Sequence, residues 1–383
     1  MIAKKKILIV YSYFYPGYRA GGPIQSLANI ITASSSLYEY MVITSAYDLN
    51  VSTPYSNIDI NSWNTIFIKS VPVTIWYADK KISYKQMRQL FIHAAPDIVF
   101  INGLYTRYYF FYPLLIRFFH YHHPKYILSP RGMLQSGALA VKPFKKYGYL
   151  KLLCWSGLLK NIIWHATTAD EAKDIYQRIN KNAVVKIAAN IPASPVDIMV
   201  NATKQQDELH LIYLSVITEK KNLLLLIQTL LMCRSTIYVD IYGPIKEADY
   251  WNTCSKAIAQ LPKHISIKYQ GDIVPQKVQQ TILQYDALIL LTKGENFGHA
   301  LFESLSVGRP IITSYFTPWN NLQAKNAGWN VNIQQPKNIS NLLDELSAQN
   351  NQSWQLYCTS AYQLAKDYCK QSNFIEAYQN LFS

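Results

Sequence analysis

Residues 287–304 read ALILLTKGENFGHALFES, and this stretch predicts how the second half of the chain folds. Its first five residues form a continuous apolar run, which is typical of a parallel strand covered on both faces. The turn 293–296 should leave the carboxyl end of that strand, and a helix should begin near Phe297 or Gly298. Free backbone N–H groups at a helix start suit a phosphate group, and Gly298 permits its close approach.

Two glutamates lie in this stretch, although the chain has only 23 acidic residues. Glu295 falls in the turn, and Glu303 follows eight positions later. Eight residues are a little over two helical turns, so Glu303 can face the same side as the turn. One interpretation is that the two carboxylates face the same cleft, and the alternative is a capping acid followed by a solvated helix acid.

Short β-branched runs alternate with helical patterns in both halves of the chain, which predicts parallel α/β layers. The polar segment 190–208, with two prolines, is a plausible linker. We therefore predict an α/β protein of two doubly wound domains facing a cleft, over residues 1–195 and 206–360, followed by a helical segment 361–383. The expected strands lie near residues 6–14, 41–45, 65–70, 97–103, 125–132 and 162–168, then near 209–217, 236–243, 265–271, 287–294 and 310–314.

The composition restricts the possible partners. The 383 residues carry a net charge of +14, and residues 1–200 hold 22 Lys and Arg against 9 Asp and Glu. Such asymmetry indicates an anionic partner for the first half: nucleic acid, a phosphorylated acceptor or a lipid surface. The five scattered cysteines favour reduced thiols in a cytoplasm, and we find neither a signal-peptide layout nor an apolar run of membrane-spanning length.

The segment GENFGHALFESLSVGRPIITS (294–314), followed by TPWNNL and NAGWNV, resembles the E-x7-E region of the family-4 retaining nucleotide-sugar glycosyltransferases. These enzymes have the GT-B fold of two Rossmann-like domains, and the likeness is to bacterial polysaccharide or O-antigen-type members. The resemblance implies that Glu295 contacts the donor sugar and Glu303 the ribose. Backbone around Asn296, Phe297, Gly298 and His299 would hold the diphosphate.

Residues 211–230, LIYLSVITEKKNLLLLIQTL, resemble the start of the family's donor domain. The resemblance assigns the diphosphate-binding lysine to Lys221, but Val216 stands where the family usually has an arginine. Lys220 and Arg309 are candidate substitutes for that cation, and either could instead be an ordinary surface charge. Backbone near Gly271 would approach the nucleotide base.

In the first half, Gly21 and Gly22 follow the first strand, where the family has a loop for donor phosphate and acceptor. Asn102 stands at the apparent position of a histidine found near the reaction centre of many relatives. The segment LSPRGMLQSGAL (128–139) resembles an acceptor-side motif, which assigns Arg131 to that side, and Glu171 resembles an acid at a helix start that organises the site. His165 is interpreted as a packed strand residue.

The sequence thus predicts a metal-independent enzyme without a cofactor that transfers sugar from a nucleoside-diphosphate sugar, UDP-sugar favoured, to a glycan or lipid-diphosphate-linked acceptor. Glu295, Lys221 and Asn102 are its candidate catalytic residues. Two alternatives remain: a nucleotide-sugar epimerase, and a catalytically silent glycan- or partner-binding subunit, which Val216 would explain.

Aromatic and basic residues interleave over 107–126, with Lys142, Lys145, Lys146 and Lys151 nearby. This pattern suits a helix in a membrane interface or single-stranded nucleic acid. We favour peripheral contact with the inner face of the cell membrane over nucleic acid, because the sequence shows no nucleic-acid-binding motif. A solvated face with buried aromatic residues is the alternative.

Overall fold

The structure is a computed structural model of the chain. It describes residues 4–119, 124–140, 143–193, 195, 200–202, 204–371 and 373–383. The chain forms two compact units. The first contains Met1–Ile191 together with Asn373–Ser383, and the second contains Pro192–Ser372.

The first unit is built on an eight-stranded sheet, with elements numbered here in chain order. Its strands are β1 Lys5–Val10, β2 Tyr38–Ser45, β3 Trp63–Ile68, β4 Val71–Ala78, β5 Ile98–Asn102, β6 Lys125–Ser129, β7 Ile163–Ala166 and β8 Val184–Ile187. Its helices are α1 Gly22–Ser34, α2 Tyr84–Ala94, α3 Tyr112–Phe119 after a π-helical turn Arg107–Phe111, α4 Ser136–Ala140, α5 Pro143–Trp155, α6 Ala169–Arg178 and α13 Phe374–Phe382. The strand order is β3-β4-β2-β1-β5-β6-β7-β8, parallel except for β3 against β4.

Two apolar clusters cover the two faces of this sheet. Helix α13 belongs to one of them, because Tyr378, Leu381 and Phe382 are buried there. The Phe382 ring makes edge contacts with Phe100 of β5 and Tyr38 of β2, at ring-centroid distances of 6.1 and 5.2 Å. The last helix of the chain is therefore part of the core of the first unit.

The second unit is a six-stranded parallel sheet with helices on both faces. Its strands are β9 Glu208–Leu214, β10 Thr236–Tyr242, β11 Ile265–Gly271, β12 Ala287–Leu290, β13 Ile311–Ser314 and β14 Gly328–Val331. Its helices are α7 Leu223–Leu230 after a 3-10 turn Glu219–Lys221, α8 Ala248–Ile258, α9 Pro275–Ile282, α10 His299–Ser306, α11 Pro336–Ser347 and α12 Asn351–Gln371.

The strand order in this unit is β11-β10-β9-β12-β13-β14. The chain therefore moves outward in one direction from β9 and in the opposite direction from β12. Ligands of doubly wound sheets bind at such a switch point, beyond the carboxyl ends of the strands. The loops that follow β9 and β12 contain Lys221 and Glu295, so the topology places both residues at this position.

The predicted fold class, an α/β protein with two Rossmann-like domains, is confirmed. Three strands were missed for physical reasons: β4 contains Pro72 and alternates instead of running apolar, β8 contains Lys186 and has no buried residue, and β14 is interrupted by Gly328 and Asn330. The chain returns to the first unit at Asn373, within the predicted helical segment 361–383. It does not return earlier, because α12 buries Trp354, Cys358, Ala361 and Ala365 in the core of the second unit.

Candidate functional site

Lys221 and Glu295 form an ion pair between Nζ and Oε1 at the switch point of the second unit. Their side chains are 21% and 12% exposed. Because a half-buried charge is costly without a partner, each residue offsets part of the desolvation cost of the other. The pair brings together two residues that the sequence assigned to the donor, one for the diphosphate and one for the sugar.

Hydrogen bonds fix the two loops that carry this ion pair. The backbone N–H of Lys293 donates to the carbonyl oxygen of Lys220 at 2.9 Å, and Thr292 Oγ1 donates to the same oxygen at 3.2 Å. Asn222 Nδ2 donates to the carbonyl oxygen of Leu291 at 3.0 Å. The loop after β9 and the loop after β12 are thus held in register, which preorganises the site.

Helix α10 begins at this site. Gly298 precedes its first residue and has φ 75°, in the left-handed region that glycine adopts without strain. A Cβ at Gly298 would approach Leu301 Cδ1 to 2.8 Å. The helix start therefore needs glycine for its backbone conformation, and the first N–H groups of α10 have no helical acceptors of their own.

Phe297 anchors this helix start from the inside. Its side chain is 4% exposed and contacts the rings of Trp319, Phe302 and Tyr368, at centroid distances of 5.5, 5.7 and 5.8 Å. Trp319 Nε1 donates to the Phe297 carbonyl oxygen at 2.5 Å. Sequence reasoning missed Trp319 and Tyr368 as supports, although Trp319 stands in the TPWNNL segment.

Asn296, His299 and Glu303 are all half-buried beside this helix start. His299 and Glu303 are one helical turn apart and lie on the same side of α10, whereas Leu301, Phe302 and Leu305 are buried in the core. Glu303 is thus on the accessible side of the helix, as a ligand-binding residue must be.

The ends of β9, β10 and β11 form the neighbouring part of the site. Gly243, just after β10, has φ 132°, and a Cβ there would lie 2.0 Å from the carbonyl oxygen of Ser215. Sequence reasoning missed this glycine, whose signal is its place directly after a buried strand. Gly271 ends β11 with φ 80° and has open space where a Cβ would be. Val216, half-buried, follows Ser215.

Arg309 is excluded as the substitute for the arginine missing at Val216. It is 3% exposed, and its guanidinium donates to the carbonyl oxygens of Asn201 at 3.1 Å and Leu283 at 2.8 Å. Because these acceptors belong to the framework of the second unit, Arg309 supports the fold. Because Arg309 is buried, it is also not an ordinary surface charge, which was the alternative interpretation from the sequence.

In the first unit, Asn102, Arg131 and Asn190 form a hydrogen-bonded chain. Arg131 Nε donates to Asn102 Oδ1 at 2.6 Å, and Arg131 Nη1 donates to Asn190 Oδ1 at 2.5 Å. Asn102 ends β5, Arg131 follows β6 and Asn190 follows β8, so the three meet at the carboxyl ends of parallel strands. Asn190 carried no signal in the sequence.

This cluster has unused donors. Among the described residues, Asn102 Nδ2 and Arg131 Nη2 are buried with no hydrogen-bond acceptor. Arg131 also has φ 53°, a left-handed conformation that is strained for a residue with a Cβ. The Arg131 side chain is half-buried and these two hydrogen bonds go to neutral amides, so its guanidinium can still pair with an anion.

Glu171 braces the backbone of this cluster. The side chain is 1% exposed. Oε1 accepts from the N–H of Gly132 at 2.6 Å, and Oε2 accepts from the N–H and Oγ1 of Thr167, each at 2.7 Å. Glu171 therefore positions the loop that carries Arg131.

His165 lies beneath the same cluster and is buried, as interpreted from the sequence. Its Nδ1 bonds Ser129 Oγ at 2.9 Å and its Nε2 bonds the carbonyl oxygen of Ala188 at 2.8 Å. Burial, with the charge of Arg131, lowers the pKa of His165 to about 3. The neutral ring must therefore donate from Nε2 and accept at Nδ1.

The two glycines Gly21 and Gly22 have different backbone positions at the start of α1. Gly21 has φ 77° and precedes the helix, whereas Gly22 is the first helical residue. Asp48 accepts from the N–H groups of Tyr18 at 2.9 Å and Arg19 at 3.1 Å, which fixes the preceding loop. Gly21 thus has the left-handed conformation that favours glycine, whereas Gly22 lies within the helix.

Two further searches cover the described part of the chain. No group of three or more His, Cys, Asp or Glu side chains there could hold a metal ion. None of the helices in the described ranges combines the length and the apolarity needed to cross a bilayer.

Comparison with known proteins agrees with the fold. Residues 197–359 match the family model described as "Glycosyl transferases group 1", which covers the second unit and its switch point. No curated protein matches the sequence.

Solved structures resemble the whole chain at low sequence identity. Anabaena HepE, crystallised with UDP and glucose, is 13% identical with a TM-score of 0.69 over 98% of each chain. Sucrose-phosphate synthase from Thermosynechococcus elongatus is 12% identical, TM-score 0.70, over 99% of each chain. WaaG, a glycosyltransferase involved in lipopolysaccharide biosynthesis, is 12% identical, TM-score 0.65, over 98% of each. These likenesses support the GT-B fold.

Proposed function

We propose that this protein is a retaining glycosyltransferase that transfers a sugar from a nucleoside-diphosphate sugar to a glycan or lipid-diphosphate-linked acceptor. The proposal includes a role in cell-surface polysaccharide assembly, a cytoplasmic site of action at the membrane, and catalysis without a metal ion. The observation that carries it is the Lys221–Glu295 ion pair at the switch point, beside the start of α10.

The donor would bind the second unit. The Lys221 ammonium and the first N–H groups of α10 would supply positive charge for the diphosphate. Glu295, once Lys221 turns to the diphosphate, offers carboxylate oxygens to sugar hydroxyls, and Glu303 offers the same to the ribose. The open space beside Gly271 leaves room for the base.

The acceptor would bind the first unit. The Arg131 guanidinium suits the phosphate of a lipid-diphosphate acceptor or a sugar carboxylate. Asn102 can donate from Nδ2, because its Oδ1 already accepts from Arg131. An amide does not titrate, so Asn102 would orient a reactant and not remove its proton.

In the proposed reaction the bond between the anomeric carbon and the diphosphate oxygen breaks. The acceptor oxygen forms its bond to that carbon on the same face, and its proton moves to the departing diphosphate oxygen. No protein nucleophile is required. The main contribution of the protein is electrostatic stabilisation of the departing diphosphate by Lys221 and the helix start.

UDP is the favoured nucleotide. Its support is analogy of fold: Anabaena HepE was also crystallised with UDP-glucose, and it is 13% identical to this chain. WaaG, by its description, acts in lipopolysaccharide biosynthesis, which supports a cell-surface glycan as the product.

Val216 favours a second candidate, a catalytically silent subunit that binds a glycan or a partner. With Arg309 engaged in the framework, Lys220 is the remaining candidate for the second diphosphate cation. Lys220 is half-buried in the 3-10 turn beside Lys221. If Lys220 fills this role, Lys220→Ala will lower kcat with little change in stability.

The test is incubation of radiolabelled UDP-, GDP- and ADP-sugars with the full chain and lipid-diphosphate oligosaccharide acceptors. We expect transfer from one donor, loss of at least about 100-fold in kcat/KM with Glu295→Gln, and an anomeric configuration that matches the donor. A product formed from the donor without acceptor would indicate an epimerase. Nucleotide binding with neither transfer nor hydrolysis would indicate the silent subunit.

A further inference from the structure

Helix α5 in the first unit presents large apolar side chains to solvent. Phe144 is 93% exposed, Trp155 85% and Leu152 63%. The opposite side of the same helix is packed, since Leu150 and Leu153 are each 3% exposed. A helix that is apolar on two sides is ordinarily covered on both, so the exposed side indicates an interaction surface.

The exposed side chains form one continuous face. At about 100° per residue, Phe144, Lys151 and Trp155 point within roughly 40° of one another. Tyr147 and Leu152 flank them, and both are exposed. These five residues are called here the outer face of α5. From Phe144 to Trp155 this face is about 16 Å long at 1.5 Å per residue.

The surroundings of this face are cationic. Residues 98–169 contain nine Lys and Arg and no Asp or Glu. Lys145 and Lys151 are exposed on α5 itself. Arg178 of α6 donates from Nη1 to Tyr147 Oη at 2.8 Å, which places another cation at the edge of the outer face. A partner for this surface must therefore accept both apolar side chains and positive charge.

The structure corrects the location of the aromatic surface that the sequence predicted over 107–126. Tyr109, Phe110 and Leu114 are buried in the core, which is the alternative reading of that stretch. Phe118 and Phe119, at the end of α3, are 47% and 61% exposed. The predicted Lys142, and residues 120–123 of the stretch, lie outside the described residues.

The exposed end of α3 adjoins the end of α5. Arg117 Nη1 donates to the carbonyl oxygen of Leu158 at 3.5 Å, and Nη2 donates to that of Lys160. Both acceptors lie in the loop that follows α5. Phe118 and Phe119 follow Arg117 directly in the chain, so the exposed end of α3 lies near the loop that follows α5.

We propose that the outer face of α5 binds the surface of an anionic lipid bilayer, with the helix parallel to the membrane plane. Phe144, Leu152 and Trp155 enter the boundary between headgroups and acyl chains, while Lys145 and Lys151 contact phosphate headgroups. With 13 residues the helix lies on the bilayer and does not cross it.

Charge complementarity selects this occupant. A second copy of the chain would bring two cationic faces together, and a nucleic acid would leave Leu152 without an apolar partner. The inference deepens the membrane contact in the proposed function and rests on it. Its test measures vesicle binding and not sugar transfer, so failure of one is distinguishable from failure of the other.

The test is co-sedimentation of the full chain with phosphatidylcholine vesicles, with and without phosphatidylglycerol. We expect binding that requires the anionic lipid. Each cation near the surface contributes about five-fold in affinity, so Lys145→Gln with Lys151→Gln should weaken binding about 25-fold. Phe144→Ser with Trp155→Ser should weaken vesicle binding by roughly ten-fold or more.

Matched controls are available in the same unit. Phe67 on β3 is 66% exposed, and Lys81 and Lys85 are exposed near and within α2. Phe67→Ser, and Lys81→Gln with Lys85→Gln, should leave vesicle binding within about two-fold, since these residues lie outside the outer face and its cationic surroundings. Calorimetry with nucleotides reports separately on the second unit in every variant.

A second readout does not depend on loss of binding. Brominated lipids should quench Trp155 fluorescence, and Trp155→Phe should remove most of that quenching while vesicles are still bound. Absence of binding to anionic vesicles, or equal losses in the control variants, would overturn the proposal. A monomer–dimer change in molecular mass caused by the α5 variants would also overturn it, because a second copy would then cover the face.

Discussion

Lys221 and Glu295 are 74 residues apart in the sequence, and their side chains form an ion pair at the carboxyl ends of β9 and β12. The same two residues are the ones that family resemblance assigned to the diphosphate and the sugar. In this structure the two side chains are each other's partners. A donor molecule must therefore supply new partners to both.

Removing one partner of this pair should destabilise the second unit. Lys221→Met or Glu295→Gln alone should each lower the free energy of unfolding by about 1–2 kcal/mol, because a half-buried charge loses its counter-ion. The double variant should lose less than the sum of the single losses. Urea denaturation of the four proteins measures this coupling, and strictly additive losses would show that the pair contributes nothing.

Glu171 should support both stability and the acceptor side. Glu171→Gln places an amide group where two N–H donors and a hydroxyl now find acceptors, which should lower the free energy of unfolding by about 2–3 kcal/mol. Asp170→Asn is the matched control, since this carboxylate is 87% exposed beside Lys173. It should change the free energy by no more than about 0.5 kcal/mol. Similar losses in the two variants would contradict the bracing role.

His165 predicts a pH dependence of stability. The folded-state pKa is about 3, below the ordinary value of 6.5, because burial and Arg131 oppose protonation. The unfolded chain takes up a proton below pH 6.5 and the folded chain does not, so stability falls as pH drops.

Relative to His165→Gln, wild-type protein should lose about 1.4 kcal/mol per pH unit between roughly pH 6 and pH 4. Glutamine keeps a donor for Ala188 and an acceptor for Ser129 without titrating. Denaturation curves at several pH values measure the difference. Parallel pH profiles for the two proteins would show that His165 titrates normally.

Two glycines near the site should behave differently. Gly243→Ala should prevent folding of the second unit or destabilise it by roughly 3 kcal/mol or more, since its Cβ would meet the Ser215 carbonyl oxygen. A Cβ at Gly271 would have no atom within 4 Å, so Gly271→Ala should cost only about 1 kcal/mol of backbone strain. The folded Gly271→Ala protein should nevertheless bind nucleotide more weakly. Unchanged nucleotide affinity would show that Gly271 does not lie in the base-binding region.

The sequence predicts much of the second unit because its site residues lie on one short segment. Glu295, Gly298 and Glu303 fall within a strand, turn and helix whose apolar pattern is plain. Trp319 and Tyr368 were missed as supports because their contacts with Phe297 join segments far apart in the chain.

In the first unit, Asn102, Arg131 and Glu171 were found separately, but their network was not. Asn190 completes it from the end of β8, a four-residue strand with no distinct pattern. The outer face of α5 was missed for another reason. Apolar residues on both sides of the helix remove the amphipathic periodicity on which such predictions depend.

The most direct test of the donor site is calorimetric titration of UDP, GDP and ADP into the purified chain without added metal, for wild type and Glu303→Ala. Glu345→Ala is the control, because Glu345 is an exposed acid on α11 of the same unit. We predict that one nucleotide binds, that Glu303→Ala weakens it by about 10- to 100-fold through lost ribose hydrogen bonds, and that Glu345→Ala does not. Binding of none of the three, or equal affinity in wild type and Glu303→Ala, would contradict a nucleotide-sugar site at the start of α10.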